Sequence, residues 1–322
     1  MTIFKIIAIF LSIIIFLTAC SGADTEKTNT SLPSSSVSSK ENLDSSENSN
    51  IDSSSEPTSS NSSTQTVVSS NVPNANQTTS LGNISTEKLS EIKKLSSKRT
   101  GWGQGLTFDN INRPVYSINT QAKYGKYGAY FIAENEKKFY FTFDEGWENG
   151  YTPVILDTLK EKNVKAVFFV TKSYAKNNRS LVQRMIDEGH IVGHHSDKHI
   201  NYGNSSLETV YNDFMSLHNY MVSEFQYEMT LFRYPEGSYN EQSLALINEL
   251  GYKTLFWSFA YADWDVNLQK DEGEALELLK KRTHNGAIYL LHCVSSTNAN
   301  ILGDYIDYLR NEGYSIELFP TN

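Results

Sequence analysis

From about residue 137 onward, short runs of apolar and aromatic residues alternate with segments that carry apolar positions on one helical face. The runs have the length of strands, and TPVILDTLKEK, SLVQRMIDEG and EQSLALINELG between them have the pattern of amphipathic helices. This alternation predicts an α/β fold, a distorted (β/α) barrel of about seven parallel strands with outer helices. The predicted strands are FYFTF (139–143), AVFFVT (166–171), HIVGHHS (190–196), LFRYP (231–235), TLFWSFA (254–260), AIYLLHC (287–293) and YSIELF (314–319).

The beginning of the chain has a different pattern. Lys5 precedes the apolar run IIAIFLSIIIFLTA, which ends at Cys20 and has the features of a signal peptide. The motif LTAC (17–20) resembles the lipobox of bacterial lipoproteins, and this resemblance implies that Cys20 is lipidated and becomes the mature N-terminus. An uncleaved transmembrane anchor is the alternative. Both interpretations place the rest of the chain outside the cytoplasmic membrane.

Ser, Thr and Asn dominate the segment that follows, which has almost nothing to bury and is predicted to be a disordered tether. We therefore divide the chain into a signal peptide (1–20), a linker (21–90), an N-terminal extension that packs on the barrel (91–136) and a catalytic domain (137–322).

Charge and cysteine content narrow the possible partners. The formal net charge is -9 and no strong basic patch is present, which argues against a nucleic-acid ligand. Cys20 and Cys293 lie in very different contexts, so we expect no disulfide between them. No protein partner can be identified from the sequence.

Unusual polar residues follow several of the predicted strands, always at the carboxyl end. In a (β/α) barrel, active-site residues lie at that end of the strands, so these positions predict one common site. They are Asp144, Glu145, His195, His199, Arg233, Asp263, Trp264 and His292.

His195 and His199 have the i, i+4 spacing that brings two imidazoles to one face of a helix or turn. Neutral imidazoles suit zinc, cobalt or nickel, so the pair is a candidate metal site. A surface histidine cluster, to which the adjoining His194 also belongs, is the alternative.

The other candidates are two carboxylates, an arginine and a histidine. Asp144 and Glu145 could face substrate and metal if the backbone turns at Gly146, or they could cap the next helix. Arg233 in a strand interior requires a partner, for which Asp144 is the natural carboxylate. His292 ends an apolar strand, where a structural histidine is the alternative to a catalytic one.

Together these motifs resemble the polysaccharide deacetylase family (NodB homology, carbohydrate esterase family 4). TFDEG (142–146), HSDKH (195–199), RYPEG (233–237), ADW (262–264) and LLH (290–292) occur in the family's order. The resemblance covers roughly two thirds of the chain. Within the family, TFDEGWENGYTP and GAIYLLHCVSSTNA are most similar to the delta-lactam-biosynthetic, muramic acid de-N-acetylases of spore-forming bacteria.

The resemblance implies a hydrolase that removes the acetyl group from N-acetylmuramic acid in peptidoglycan, as a step toward muramic delta-lactam in spore cortex. It implies one divalent metal, zinc or else cobalt, nickel or manganese, and a lipid-anchored location at the outer face of the cell membrane, in the cell wall or spore envelope. The implied roles are Asp144 as base, His292 as acid, Arg233 and Asp263 as their supports, Glu145, His195 and His199 as metal ligands, and Trp264, Leu290, Pro235 and Tyr234 as substrate-binding residues.

Two positions depart from the family pattern. Glu145 stands where the family has Asp, and Glu236 stands where the muramic branch usually has Arg. A carboxylate near the substrate groove disfavours anionic sugars. Two other functions therefore stay open: deacetylation of N-acetylglucosamine or chitooligosaccharides, and a catalytically degraded lipoprotein that binds the wall.

Overall fold

A computed structural model describes residues 81–321 of this protein. The predicted signal peptide, the lipidation site Cys20 and most of the predicted linker lie outside the described residues. Within 81–321, no helix combines the length and the apolar character that a membrane span needs.

The described residues form a parallel sheet with helices packed on its outer face. The strands are β1 (Thr100–Gly101), β2 (Ala129–Tyr130), β3 (Lys138–Glu145), β4 (Val167–Val170), β5 (Ile191–His194), β6 (Leu231–Phe232), β7 (Ser238–Tyr239), β8 (Lys253–Leu255), β9 (Phe259–Ala260), β10 (Ala287–His292) and β11 (Ser315–Ile316). The helices are α1 (Thr86–Lys93), α2 (Val115–Tyr124), α3 (Thr152–Glu161), α4 (Lys172–Asn177), α5 (Arg179–Asp187), α6 (Leu207–Phe225), α7 (Glu241–Glu249), α8 (Glu272–Arg282) and α9 (Ser296–Asn311).

The strand order in the sheet is β2-β8-β6-β5-β4-β3-β10-β9, and β11 pairs with the first residues of β3. Each of these pairings is parallel. The α/β architecture with parallel strands confirms the predicted fold class. Strand β1, from the segment before the barrel, pairs with β7 in a separate antiparallel ribbon, and β2 extends the edge of the main sheet.

The prediction of one strand over residues 254–260 is wrong. This segment forms β8 and β9, which pair with β6 and with β10 in distant parts of the sheet. Between them Phe256 N donates to the Tyr130 carbonyl and Ser258 N donates to the Ile288 carbonyl, each at 2.8 Å. The chain thus crosses the gap of the incomplete barrel here, because successive backbone groups find partners on opposite sides of that gap.

The predicted linker also extends too far. Helix α1 begins at Thr86, inside the segment for which the composition predicts disorder. The side chain of Ser85 caps its N-terminus by accepting from Lys88 N. Leu89 and Ile92, three residues apart, are buried against the rest of the domain, so this short stretch buries enough apolar surface to be ordered.

Alternation along β3 divides the core into two layers. Tyr140 belongs to a cluster inside the barrel, together with residues such as Phe169 and Phe319. Phe139, Phe141 and Phe143 belong to the larger cluster between the sheet and the helices. Since successive side chains of a strand point to opposite faces, the parity of a position determines which layer it enters.

Candidate active site

A cavity of about 810 Å³ lies at the carboxyl ends of the central strands. Asp144 and His292 are register partners at the ends of the neighbouring strands β3 and β10, and His195 directly follows β5. The predicted site residues that line the cavity are Asp144, His195, His199, Tyr234, Trp264, Leu290 and His292.

Arg233 is fully buried beside the cavity and binds Asp144. Its Nη1 donates to Asp144 Oδ1 at 2.8 Å. Its Nε and Nη2 donate to the carbonyls of Leu255 and Phe256 at 2.8 and 3.0 Å, and the guanidinium lies 4.2 Å from the ring centre of Phe169. All three guanidinium nitrogens thus donate to separate acceptors in one plane, which a lysine could not do.

The charge state of Asp144 follows from this pairing. Burial alone would raise the pKa of Asp144, but the charge of Arg233, the charges of His195 and His292 and the hydrogen bond from Arg233 together outweigh this effect. The pKa therefore lies below its usual value, and Asp144 is a carboxylate at neutral pH.

His292 is held in the opposite state by Asp263. The imidazole Nδ1–H donates to Asp263 Oδ1 at 2.7 Å, and the backbone N of His292 donates to Oδ2 at 2.8 Å. Asn298 Nδ2 donates to the same Oδ2 at 2.6 Å. Burial lowers the pKa of His292, but the Asp263 carboxylate more than compensates and raises it to about 8. His292 is thus largely protonated at neutral pH.

The loop that carries the two candidate metal ligands has a constrained backbone. Ser196 and His199 have positive φ angles of 73° and 53°, an uncommon conformation for residues other than glycine. His199 N donates to Ser196 Oγ at 2.7 Å. Asp213 on α6 accepts from the backbone N atoms of Asp197 and Lys198, each at 3.0 Å. Such conformations persist where the surroundings impose them, often at functional sites.

His195 is a neutral imidazole with one ring nitrogen free to bind a metal. Its Nδ1 bonds the Arg233 carbonyl at 3.0 Å, which leaves Nε2 facing the cavity. Nε2 is 3.6 Å from Asp144 Oδ2, too far for a hydrogen bond, and the ring centres of His195 and His199 are 5.0 Å apart. Burial lowers the pKa of His195 to about 4, against the opposing effect of Asp144. A carbonyl acceptor behind a neutral imidazole is the usual support of a metal-binding histidine.

Glu145, by contrast, is not brought to the two histidines. It faces the layer between sheet and helices, is fully buried and does not line the cavity. Neither carboxyl oxygen has a nitrogen or oxygen hydrogen-bond partner within the described residues, and its neighbour is the buried thiol of Cys293. Burial raises the pKa of Glu145 to about 8, so the group is mostly protonated at neutral pH.

The residues present therefore fit a divalent cation in part. His195 and His199 have the donor chemistry and the supports, whereas the third predicted ligand lies elsewhere. Within 81–321, no group of three or more His, Cys, Asp or Glu side chains is arranged to hold a metal ion. A cation bound by the two histidines would complete its coordination with water or with oxygen atoms of the substrate.

The four predicted substrate-binding residues differ in placement. Trp264 is 59% exposed at the cavity, and Leu290 lies in its wall. Tyr234 also contributes to the wall, but its buried ring stacks on Phe256 with centroids 5.5 Å apart. Pro235 is buried and lies outside the lining of the cavity.

Sequence reasoning missed several supporting residues, among them Asn298, Asp213 and Gln104. Asn298 and its partner Asp263 are 35 positions apart, so no local pattern connects them. Asp213 could have been found, because it lies among the buried positions of α6, next to Phe214. An acid on the apolar face of an amphipathic helix indicates a buried partner.

Comparisons with known proteins agree with this geometry. A model of the polysaccharide deacetylase family matches residues 132–255. The chain is 41% identical over 195 residues to peptidoglycan-N-acetylmuramic acid deacetylase PdaA of Bacillus subtilis, covering 60% of this chain and 74% of that protein. It is 34% identical over 182 residues to peptidoglycan-N-acetylglucosamine deacetylase PgdA of Listeria monocytogenes, covering 56% of this chain and 38% of that protein. The solved structure of B. subtilis PdaA, a family 4 carbohydrate esterase, aligns with a TM-score of 0.66 and 36% identity over 70% of this chain and 96% of that one.

Proposed function

Since this chain belongs to the polysaccharide deacetylase family of family 4 carbohydrate esterases, and is thus a hydrolase of amide C–N bonds, we propose that it deacetylates N-acetylmuramic acid in peptidoglycan. The observation that carries this proposal is the pair formed by Asp144 and His292. They are neighbours across two strands, and their charged partners shift their pKa values in opposite directions. Two titratable groups tuned in this way are suited to act as base and acid in one reaction.

Asp144 is the general base in this proposal. Its Oδ1 is bound by Arg233, whereas Oδ2 is open to the cavity and accepts a proton from the attacking water. Because Arg233 also contacts two backbone carbonyls, the carboxylate keeps one orientation during the reaction.

His292 is the general acid. Its Nδ1–H is committed to Asp263, so Nε2–H is the proton that reaches the amine nitrogen as the C–N bond breaks. Neighbouring parallel strands are about 4.8 Å apart, which allows Asp144 and His292 to contact the same acetamido group.

A divalent metal bound by His195 and His199 would polarise the acetamide carbonyl and lower the pKa of a water molecule. Trp264 and Leu290 supply apolar surface for the acetyl group and the sugar ring. The deacetylated muramic acid could then cyclise to the delta-lactam of spore cortex. A lipid on Cys20 would anchor the enzyme at the outer face of the membrane.

The test is acetate release from peptide-stripped glycan strands by the wild type and by Asp144→Asn, with and without chelator. We expect release by the wild type, loss of it on chelation, recovery on adding zinc, and a loss of about 100-fold or more in the variant. Mass spectrometry of the products identifies the sugar, because deacetylated muramic acid alone can cyclise through its own carboxyl group. Acetate that comes only from glucosamine units would contradict the proposal.

Deacetylation of N-acetylglucosamine is the second candidate. The cavity contains Glu236, whose Oε2 accepts from Asn201 Nδ2 at 3.0 Å. A carboxylate at this place favours a neutral sugar over an anionic one.

A further inference from the structure

The walls of the cavity carry three carboxylates, two of which have nearby cations. Asp144 pairs with Arg233, and Asp197 Oδ2 lies 3.9 Å from Lys172 Nζ. The third, Glu236, accepts the Asn201 amide instead.

Lys198 is the lysine that lines this cavity. Among the ion pairs formed within residues 81–321, none includes its ammonium group, so no carboxylate lies within 4.0 Å of it. Asp197, its neighbour in the chain, is already next to Lys172. The buried carboxylate of Asp213, which also contacts this loop, binds other groups. Asp213 accepts from two backbone N atoms and from the Tyr202 hydroxyl at 2.8 Å.

The backbone that carries Lys198 is held in place. Asp213 binds the N atoms of Asp197 and Lys198, and the next residue, His199, is tied to Ser196 Oγ. The side chain thus extends from a fixed backbone position that lies between His195 and His199 in the chain, and it lines the same cavity as Asp144 and His292. Because its backbone is fixed and no carboxylate within residues 81–321 pairs with it, the ammonium group of Lys198 is available to a ligand.

Trp147 and Trp264 also line the cavity and are 50% and 59% exposed. Exposed indole faces suit the apolar faces of sugar rings, which fits a substrate that lies along the cavity. A sugar whose acetamido group lies at Asp144 and His292 would occupy the same cavity that Lys198 lines.

We propose that Lys198 binds the lactyl carboxylate of N-acetylmuramic acid and thereby selects this sugar over N-acetylglucosamine. This inference rests on the proposed function. The lactyl ether is attached to the carbon next to the one that carries the acetamido group, so its carboxylate enters the same cavity that Lys198 lines. Lys198 opposes the repulsion of Glu236, and its removal leaves the carboxylates of the cavity to reject an anionic sugar.

The experiment compares two substrates that differ at the lactyl group alone: a peptide-stripped glycan with free lactyl carboxylates, and the same glycan with these groups converted to uncharged methyl amides. For Lys198→Met we expect kcat/KM on the free carboxylate to fall about tenfold, as for loss of one charge-assisted hydrogen bond, with kcat/KM on the amide unchanged within about twofold. Lys198→Arg should restore most of the difference. Lys176→Met, which removes an ammonium that lies over Tyr220 and outside the cavity lining, is the matched control and should leave both values unchanged.

An equal loss on both substrates, or no loss on either, would overturn the role of Lys198. Failure of the proposed function gives a different result, because the wild type would then release no acetate from muramic acid in either substrate. The two failures are therefore distinguishable in the same assay.

Discussion

Asp144 and Glu145 are neighbours in the chain, yet their carboxyl groups lie on opposite faces of β3. Asp144 lines the cavity and is ionised by its pairing with Arg233, whereas Glu145 lies between sheet and helices beside the thiol of Cys293. The strand continues through Glu145, whose carbonyl accepts from Thr171 N, so the backbone does not turn in time to bring both acids to one site.

Glu145→Gln tests this division through stability. The folded-state pKa of Glu145 is about 8, above the ordinary value of 4.5, so the stability linked to its proton is fully present below about pH 4.5 and is lost as pH rises through 8. The amide carries no such charge, and we expect the variant to be more stable than the wild type above pH 8, by about 1–3 kcal/mol. Urea unfolding at pH 5 and pH 8.5 measures the difference.

Glu161→Gln, at an exposed position, is the control and should leave the pH dependence of stability unchanged. The same Glu145→Gln protein should retain zinc in equilibrium dialysis, while His199→Ala should lose it. Loss of zinc from Glu145→Gln would instead make Glu145 a ligand.

Asp263→Asn should move the alkaline limb of the pH profile. In the wild type, kcat/KM should fall as pH rises through about 8, where His292 loses its proton. It should stay constant on the acid side, because the pKa of Asp144 lies below the usual value of an aspartate. Without the Asp263 carboxylate the pKa of His292 decreases, so the alkaline limb shifts to lower pH and activity at neutral pH falls. Acetate release measured across pH 4–10 checks this, since that window spans the alkaline limb. Asp265→Asn, close by in the chain, should leave the profile in place.

Arg233→Lys should impair both folding and catalysis. A lysine keeps the charge but cannot donate at once to Asp144 and to the carbonyls of Leu255 and Phe256. We expect a stability loss of about 2–4 kcal/mol from buried acceptors left unpaired, and a kcat lower by about 100-fold. Unfolding curves and steady-state rates measure these effects. Arg179→Lys, at an exposed ion pair with Glu224, should change neither by much.

Gln104→Ala should weaken substrate binding, although Gln104 itself does not line the cavity. Gln104 Nε2 donates to the Ala260 carbonyl at 3.0 Å, and its Oε1 accepts from Trp257 Nε1 at 3.1 Å, so it connects the segment that crosses the gap of the barrel to β9. Trp257 lines the cavity. We expect KM to rise about threefold to tenfold with little change in kcat. If kcat fell while KM stayed constant, the positioning role would be contradicted; Gln183→Ala on the exposed face of α5 is the control.

Local pattern was sufficient for much of this protein. Apolar runs of strand length and the helical faces between them predicted the parallel α/β fold, because both patterns arise from neighbours in the chain. Polar residues at strand ends predicted that Asp144, His195, Arg233 and His292 would converge, because parallel strands end on the same side of a sheet.

Tertiary structure decided what depends on distant partners. The face of Glu145 follows from how far β3 continues, which the pairing with β4 determines. The break within residues 254–260 exists because β8 and β9 find partners in separate parts of the sheet, and Asn298 reaches Asp263 across 35 positions. Hydrogen bonds and burial between segments far apart in sequence set these features, and no local periodicity carries that information.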